Sequence, residues 1–301
     1  MIDEISMVRA DLLDSIDEVL RRFRDYKKPF GGVQLLMIGD LQQLAPVVKD
    51  EEWELLRPYY SSLFFFGSHA LQKTDFTTIE LKHIYRQSDE KFISLLNKVR
   101  ENQTDQQTID ALNERYIEGF EPENDEGYIT LTTHNYQSQA INETKLRQIK
   151  SQAYHFNADV QGEFPEYSYP ADFELIVKEG AQVMFVKNDI SKEKLFYNGK
   201  IGKVISIEDD VIFVECEGDE SIIPVTPAEW TNNKYSIDEQ TKEITETPVG
   251  SFKQYPLKLA WAITIHKSQG LTFERAIIDA NAAFAHGQVY VALSRCKTME
   301  G

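Results

Sequence analysis

Five short stretches of this 301-residue chain carry residue types that can do chemistry together. Asp3-Glu4 follows the apolar Met1-Ile2 and precedes Ile5-Ser6-Met7-Val8, so two carboxylates stand at the end of a strand and just before a helix. An acidic pair is ordinarily a solvated helix start. At a strand end the Asp can instead hold Mg²⁺ while the Glu polarises an attacking water. Gly39-Asp40-Leu41-Gln42-Gln43-Leu44-Ala45-Pro46-Val47 closes a second apolar run. Its plain reading is a strand-to-loop exit punctuated by Gly and Pro, and its chemical reading aims the neutral amide of Gln43 at a terminal phosphate. Arg86, within Ile84-Tyr85-Arg86-Gln87, is either a solvated surface residue or a guanidinium that neutralises a transferring γ-phosphate, worth roughly 10³ to 10⁵ in rate. Near the end, His266-Lys267-Ser268-Gln269-Gly270 follows an apolar strand, and Val289-Tyr290-Val291-Ala292-Leu293-Ser294-Arg295 comes after it.

Those residues need elements to hold them. Val8, Leu12, Leu13, Ile16, Val19, Leu20 and Phe23 recur every three to four positions, which predicts an amphipathic helix over 8–25. The run 33–38 reads as a buried parallel strand ending in Gly39-Asp40. Further strands are expected at 63–66 and 76–81, with helices at 89–100 and 104–116. A strand at 128–132 and a helix at 135–150 restart an α/β alternation. From 181 to 249 the pattern becomes short β-rich runs separated by Gly, Asp and Asn, the mark of a small antiparallel barrel. The α/β pattern returns at 257–265 and 273–279, which makes the barrel an insertion.

A chain with 42% hydrophobic residues, 17 Phe, 14 Tyr and 3 Trp has the core formers for about two domains and is not a disordered polymer. It has no apolar run near the roughly 20 residues of a membrane span and no signal-like N-terminus, so it reads as a cytoplasmic protein with no membrane partner. Cys216 and Cys296 are far apart and no Cys-x-x-Cys or His-Glu-x-x-His spacing occurs, which suggests neither a disulfide framework nor zinc. The net charge of −17 argues against a nucleic-acid partner until its distribution is considered. Residues 101–126 hold nine acids against one Arg, and 201–250 hold twelve acids against three Lys, which accounts for the whole surplus. Residues 251–301 carry six Lys or Arg against three acids, so a local basic surface remains available.

In this order and spacing, Ile2-Asp3-Glu4-Ile5-Ser6, Gly39-Asp40 with Gln43-Leu44, Tyr85-Arg86, His266-Lys267-Ser268-Gln269-Gly270 and Tyr290-Val291-Ala292-Leu293-Ser294-Arg295 resemble motifs II to VI of superfamily 1 DNA helicases. They look most like the 5′-to-3′ branch that holds the PIF family and the RecD-like enzymes, and the resemblance spans the chain. It implies an α/β fold of two RecA-like P-loop NTPase domains, the first truncated, with a small SH3-like β-barrel inserted in the second. Residues 1–82 would be the C-terminal part of the first domain, 83–180 and 250–301 the second, and 181–249 the barrel. The implied cofactors are ATP and Mg²⁺; the implied partners are single-stranded DNA and forked or structured duplex DNA. Carried over residue by residue, Asp3 would bind Mg²⁺, Glu4 would activate water, Gln43 would sense the γ-phosphate and Arg86 and Arg295 would be arginine fingers. Gly270 would lie at the nucleotide, His266, Lys267 and Ser268 would contact the DNA backbone, and Thr132 and Asn135 would lie near DNA.

One part of the pattern is missing. These helicases cradle phosphate in a Gly-x-x-x-x-Gly-Lys-Ser/Thr loop, and the 301 residues contain none. The expectation is therefore a fragment of a longer helicase, inactive alone as an ATPase and prone to self-association through the apolar edge around Val33, Leu35 and Ile38. The competing reading is a DNA-binding or interaction module without motor activity. A nuclease can also be sketched from Asp75, Glu80 and Lys82, although the alternating Thr77, Ile79 and Leu81 fit an ordinary strand.

Overall fold

The computed structural model describes residues 1–122, 126–237, 244–279 and 283–301. Parts of the acidic stretch 101–126 and of the expected barrel 181–249 therefore lie outside the described residues. Compactness divides the chain into one unit of residues 1–117, 265–270 and 278–301 and another of 118–264 and 271–277. Residues 83–117 thus pack with the first unit, although the sequence-based ranges begin the second domain at 83. Among the described residues no helix is long and apolar enough to cross a membrane.

The first unit is organised by α1 (Ala10–Phe23). Leu13, Ile16 and Leu20 on one face of it meet Phe30, Ala70, Leu71, Leu35 and Met37. Two carboxylates on α1 tie distant loops to it. Asp14 accepts from the Ser68 hydroxyl and from the amides of His69 and Ala70. Asp17 accepts from the amide of Phe30 and from Arg21 Nε. The rest of the apolar stripe, Leu12, Val19 and Phe23, stays exposed.

The expected buried strand at 33–38 is only partly realised. It makes a single parallel bridge, Ile2 to Met37, with Ile2 N donating to Leu36 O at 2.8 Å and Ile38 N to Ile2 O at 2.9 Å. Leu35 and Met37 face the cluster, whereas Val33, Leu36 and Ile38 are exposed, because among the described residues nothing covers the second face. Residues 63–66 likewise give one bridge, Arg9 to Phe64, and then a 3₁₀ turn at Phe65–Gly67. The segment 76–81 forms no strand, and Phe76, Ile79 and Leu81 are exposed. After α2 (Asp50–Leu56), α3 (Glu90–Arg100) and α4 (Gln106–Asn113) begin where Asp89 and Asp105 cap them, Asp105 accepting from Thr108 N at 2.8 Å.

In the second unit β1 (Ile129–Thr132) is followed by α5 (Asn135–Gln148), as the alternation predicts. The next strands, β2 (Ala153–Asn157), β3 (Asp159–Gly162) and β4 (Glu174–Lys178), extend the β-rich region earlier than expected. The antiparallel sheet is built from β5 (Gln182–Phe185), β6 (Ile201–Glu208), β7 (Val211–Glu215) and β8 (Ile223–Val225). A long pair, β9 (Ala228–Ile237) and β10 (Ile244–Gln254), joins β3 in a separate sheet. Then β11 (Leu257–Leu259) completes the five-stranded order β11-β5-β6-β7-β8.

Alternation in β7 buries Ile212 and Val214 against Val183, Phe185, Val204, Val225 and Leu257. Gly202 is required in β6, since a Cβ there would fall 2.4 Å from a Val214 methyl and 2.7 Å from Glu215 O. β12 (Ala262–Thr264) runs parallel to β1, with Leu131 opposite Ile263, and β13 (Ala276–Ile278) pairs on the other side of β1. Asn142 of α5 locks β12 by donating to Ala262 O and accepting from Ala262 N, both at 2.9 Å. The chain closes in the first unit with α6 (Gln288–Leu293), which packs on α3.

Candidate functional site

The bridge at Ile2 and the bond from Ile5 N to Ile38 O, 2.9 Å, fix the chain on both sides of Asp3-Glu4. The reversal has to occur at Glu4, whose φ of 51° and ψ of 44° are left-handed. That conformation costs a side-chain-bearing residue about 1 to 2 kcal/mol, and it is held here by the surrounding bonds. Asp3 is exposed and its Oδ1 accepts from Glu4 N at 2.9 Å.

The loop 39–47 lies directly on this turn. A Cβ on Gly39 would approach Ile5 N to 3.0 Å, so glycine allows the contact. Asp40 shapes the loop by accepting from Gln42 N at 3.0 Å, and Leu44 anchors it in the interior. Gly287, at φ 82° and capping α6, sits against the same loop, where a Cβ would fall 2.1 Å from Gln43 O. Asp40 also faces Arg100 of α3 at 3.4 Å and the Tyr290 hydroxyl of α6 at 3.5 Å. Burial, with Asp40 adding to it, raises the Tyr290 hydroxyl above the usual phenol range.

Arg86 and Arg295 are brought together through the residue that follows Arg86. Gln87, buried, donates to Ser294 O at 3.0 Å and to Cys296 O at 2.9 Å, clamping the backbone on both sides of Arg295. Arg86 Nη1 donates to Ser294 O at 3.3 Å. Arg295 is 2% exposed. Its guanidinium donates to Val291 O at 3.0 Å and to Ser294 Oγ at 2.8 Å, and among the described residues it has no ion-pair partner. Burial, reinforced by the neighbouring charge of Arg86, pulls Arg295 down to about 10, against which Tyr290 and Glu4 act weakly. Burial also lowers Arg86, opposed by Tyr290 and Glu4. A buried cation without a carboxylate is expensive unless an anion completes it.

The turn His266–Ser268 delivers Gln269 into this cluster. Gln269 Nε2 donates to Glu4 Oε2 at 2.7 Å and reaches Gln43 Oε1 at 3.3 Å. Glu4, Gln43, Arg86 and Arg295 therefore meet in one compact unit, with Asp3 adjacent to Glu4. Gly270 adopts φ 78° with open space where a Cβ would stand, so its glycine serves the backbone turn and not a close contact. His266 stacks near Phe284 at 6.4 Å, and burial lowers its imidazole below the ordinary range. Lys267 is exposed, whereas Ser268 is fully buried and its hydroxyl donates to Ile265 O at 2.7 Å, closing the turn.

Thr132 and Asn135 belong to the second unit. Thr132 is also interior, its hydroxyl directed to His134 O at 3.2 Å and Ile263 O at 3.4 Å, while Asn135 is exposed in the first turn of α5. Asp75 and Glu80 stand exposed on the segment before α3, and among the described residues no group of three His, Cys, Asp or Glu could hold a metal. Gln87 and Gln269 lie within the sequence motifs but carried no assigned role there, and Gly287 and the Asp40 contacts were not foreseen. The first two stand beside residues it had singled out, which is the only signal they offered.

Comparison with known proteins adds an independent finding. A family model described as PIF1-like helicase matches residues 1–110. The ATP-dependent DNA helicase PIF1 of Homo sapiens is 34% identical over 309 residues, covering 100% of this chain and 45% of the relative. The chain thus spans about half the length of the curated relatives it matches. A crystal structure of Bacteroides sp Pif1 in complex with ADP-AlF4 is 42% identical with a TM-score of 0.88, covering 99% of this chain and 68% of that one. Bacteroides Pif1 bound to ssDNA is 42% identical with a TM-score of 0.69, at the same coverage.

Proposed function

Because this chain belongs to the PIF1-like helicase family, we propose that it is the part of an ATP-dependent DNA helicase that meets the terminal phosphate of ATP and grips DNA, travelling 5′ to 3′. The observation that carries the proposal is Arg295, a guanidinium buried with no carboxylate partner among the described residues, beside Arg86, Glu4 and Gln43. A transferring phosphoryl group is the anion such a pair of guanidinium groups stabilises, and charge stabilisation with positioning is nearly all of this chemistry. In this reading Glu4 takes the proton of the attacking water, Gln43 addresses the γ-phosphate, and Arg86 and Arg295 neutralise charge as it develops. The backbone at Gly270 lies at the nucleotide.

Asp3 is the residue that would hold Mg²⁺. It is exposed, with one oxygen committed to Glu4 N, and a single carboxylate suits an ion whose other ligands are phosphates and waters. Bound there, the ion supplies neutralisation of phosphate oxygens. Lys267 and His266 are proposed to face the DNA backbone, with Asn135 as a further contact. Ser268 and Thr132 would act through their backbone groups, since their hydroxyls are turned inward. The sheet of β5 to β8 with β11 supports reading the first part of 181–249 as an SH3-like barrel, while β9 and β10 of that range lie in a separate sheet; the proposed second RecA-like domain of 83–180 and 250–301, following the 1–82 portion of the first, runs against the packing of 83–117 with the first unit. Forked duplex DNA and a cytoplasmic location complete the proposal.

Taken alone, the 301 residues lack a phosphate-cradling loop, so we propose that they act as a DNA-binding module without turnover. A titration with single-stranded DNA at several salt concentrations tests this, log K falling by roughly 0.7 per phosphate contact. Flat salt dependence contradicts the DNA reading. DNA-stimulated hydrolysis by the pure 301-residue chain, abolished in Glu4→Gln, contradicts the inactivity. Unwinding of a fork with a 3′ tail in preference to a 5′ tail by the full chain contradicts the direction.

A further inference from the structure

Gln269 has no role in the reading above, yet it touches two of its principal residues. Its carboxamide nitrogen lies 2.7 Å from Glu4 Oε2 and 3.3 Å from Gln43 Oε1. An ionised carboxylate only accepts hydrogen bonds, so the NH₂ end of Gln269 is the end that must face Glu4. The same NH₂ then meets Gln43, which can answer only with its carbonyl oxygen. Both orientations follow from donor and acceptor chemistry.

Two atoms are left over. Among the described residues no hydrogen bond engages Glu4 Oε1 or Gln43 Nε2. One is an acceptor on a carboxylate, the other a donor on a neutral amide. A water attacking phosphorus needs an acceptor for its proton, and the phosphate beside it needs a donor. If Gln43 were turned the other way, its carbonyl would confront the phosphate and repel it.

We propose that Gln269 is a positioning residue for hydrolysis: its NH₂ bridges Glu4 and Gln43 and so sorts their polar ends, leaving an acceptor for water and a donor for phosphate. The inference rests on the hydrolysis reading and adds a residue to it. Three separate segments, at 4, 43 and 269, are joined by one amide, and no other side chain among the described residues hydrogen-bonds to both Glu4 and Gln43. Gln269 follows the His266–Ser268 turn directly, so one hydrogen bond ties that turn to Glu4.

The test has two arms. In the first, turnover is measured on the protein's full chain. Gln269→Leu is expected to lower kcat roughly 10- to 100-fold, part of what a positioned general base contributes, with KM for ATP within about twofold. Gln269→Asn, which keeps the donor on a shorter arm, should lose less. In the second arm, glutamine side-chain amides of the 301-residue chain are observed by NMR with isotope-labelled glutamine. The Gln269 amide, identified by its loss in Gln269→Leu, should shift in Glu4→Gln and in Gln43→Leu, and this holds whether or not the chain turns over ATP.

Full-chain hydrolysis that is abolished in Glu4→Gln but unchanged in Gln269→Leu overturns the inference and leaves the hydrolysis reading standing. An amide that ignores both Glu4→Gln and Gln43→Leu overturns the bridge itself. Absence of hydrolysis in the full chain, with the amide still responding, overturns the hydrolysis reading and with it the positioning role, while the three-residue bridge stands.

Discussion

The sheet around Val183 and Phe185 and the first unit around Leu13 draw on similar aliphatic and aromatic residues, yet they use them differently. In the sheet each strand has neighbours, so alternate residues of β6 and β7 are enclosed and Val183, Phe185, Ile212, Val214 and Leu257 are entirely buried. In the first unit two segments that read as strands reduce to one bridge each, and half of the α1 stripe stays in contact with solvent. The proposed chemistry sits in the second kind of region, where loops and turns carry the polar groups and hydrogen bonds substitute for packing. Apolar enclosure supplies rigidity in one place, and Asp14, Asp17, Gln87 and Gln269 supply it in the other.

Breaking the contrast at its strongest point means removing Arg295. Arg295→Met is expected to lower ATP turnover of the full chain by roughly 10³ to 10⁵ while leaving the denaturant midpoint equal or higher, because a buried charge with no counter-ion among the described residues is replaced by an apolar group of similar length. A large fall in stability would mean that Val291 O and Ser294 Oγ already satisfy the guanidinium. In the sheet the expectation reverses. Phe185→Ala should cost about 3 to 5 kcal/mol in denaturant unfolding and abolish amide-exchange protection across β5 to β7, with no direct effect on nucleotide chemistry.

Gly287→Ala probes the contact of α6 with the Gln43 loop. Its positive φ and the Gln43 carbonyl at 2.1 Å predict a loss of about 1 to 3 kcal/mol by thermal melting, and an unchanged melt would show that the loop yields freely. His266 gives a smaller, pH-linked effect. Its folded pKa is lowered by burial, so its contribution is complete above the ordinary imidazole value and is lost as pH falls below it. Stability should decline between pH 7 and 5, and His266→Gln should flatten that slope; an unchanged slope would assign the decline to other groups. Smallest of all, Leu36→Lys should alter stability by no more than about 0.5 kcal/mol yet reduce any self-association seen in sedimentation, since Leu36 is exposed on the uncovered face.

Much of this was readable in the residues. Local signals predicted α1, α3 and α4 to within a few positions, because α1 has an amphipathic face and Asp89 and Asp105 cap α3 and α4, whereas α5, capped by His134 and with little amphipathic character, was legible only from the strand-helix alternation. The runs at 33–38 and 76–81 were misread as full strands because apolarity and alternation report a tendency to pair, and pairing needs a partner supplied by some other segment. The strands of 153–178 were missed for the opposite reason: exposed residues such as His155 and Gln161 dilute their pattern. Asp3, Glu4, Gln43, Arg86 and Arg295 stood out through spacing and family resemblance. Gln269 stood in its motif without a role, since the sequence does not show which carboxylate folding sets beside it.

The left-handed backbone at Glu4 has a consequence for the history of this chain. Glycine or asparagine would occupy that conformation with less strain, so folding alone offers no reason to retain a glutamate there. In the proposed reading the strain is kept because hydrolysis needs a carboxylate at that place, and relatives that hydrolyse ATP are expected to keep an acidic residue there.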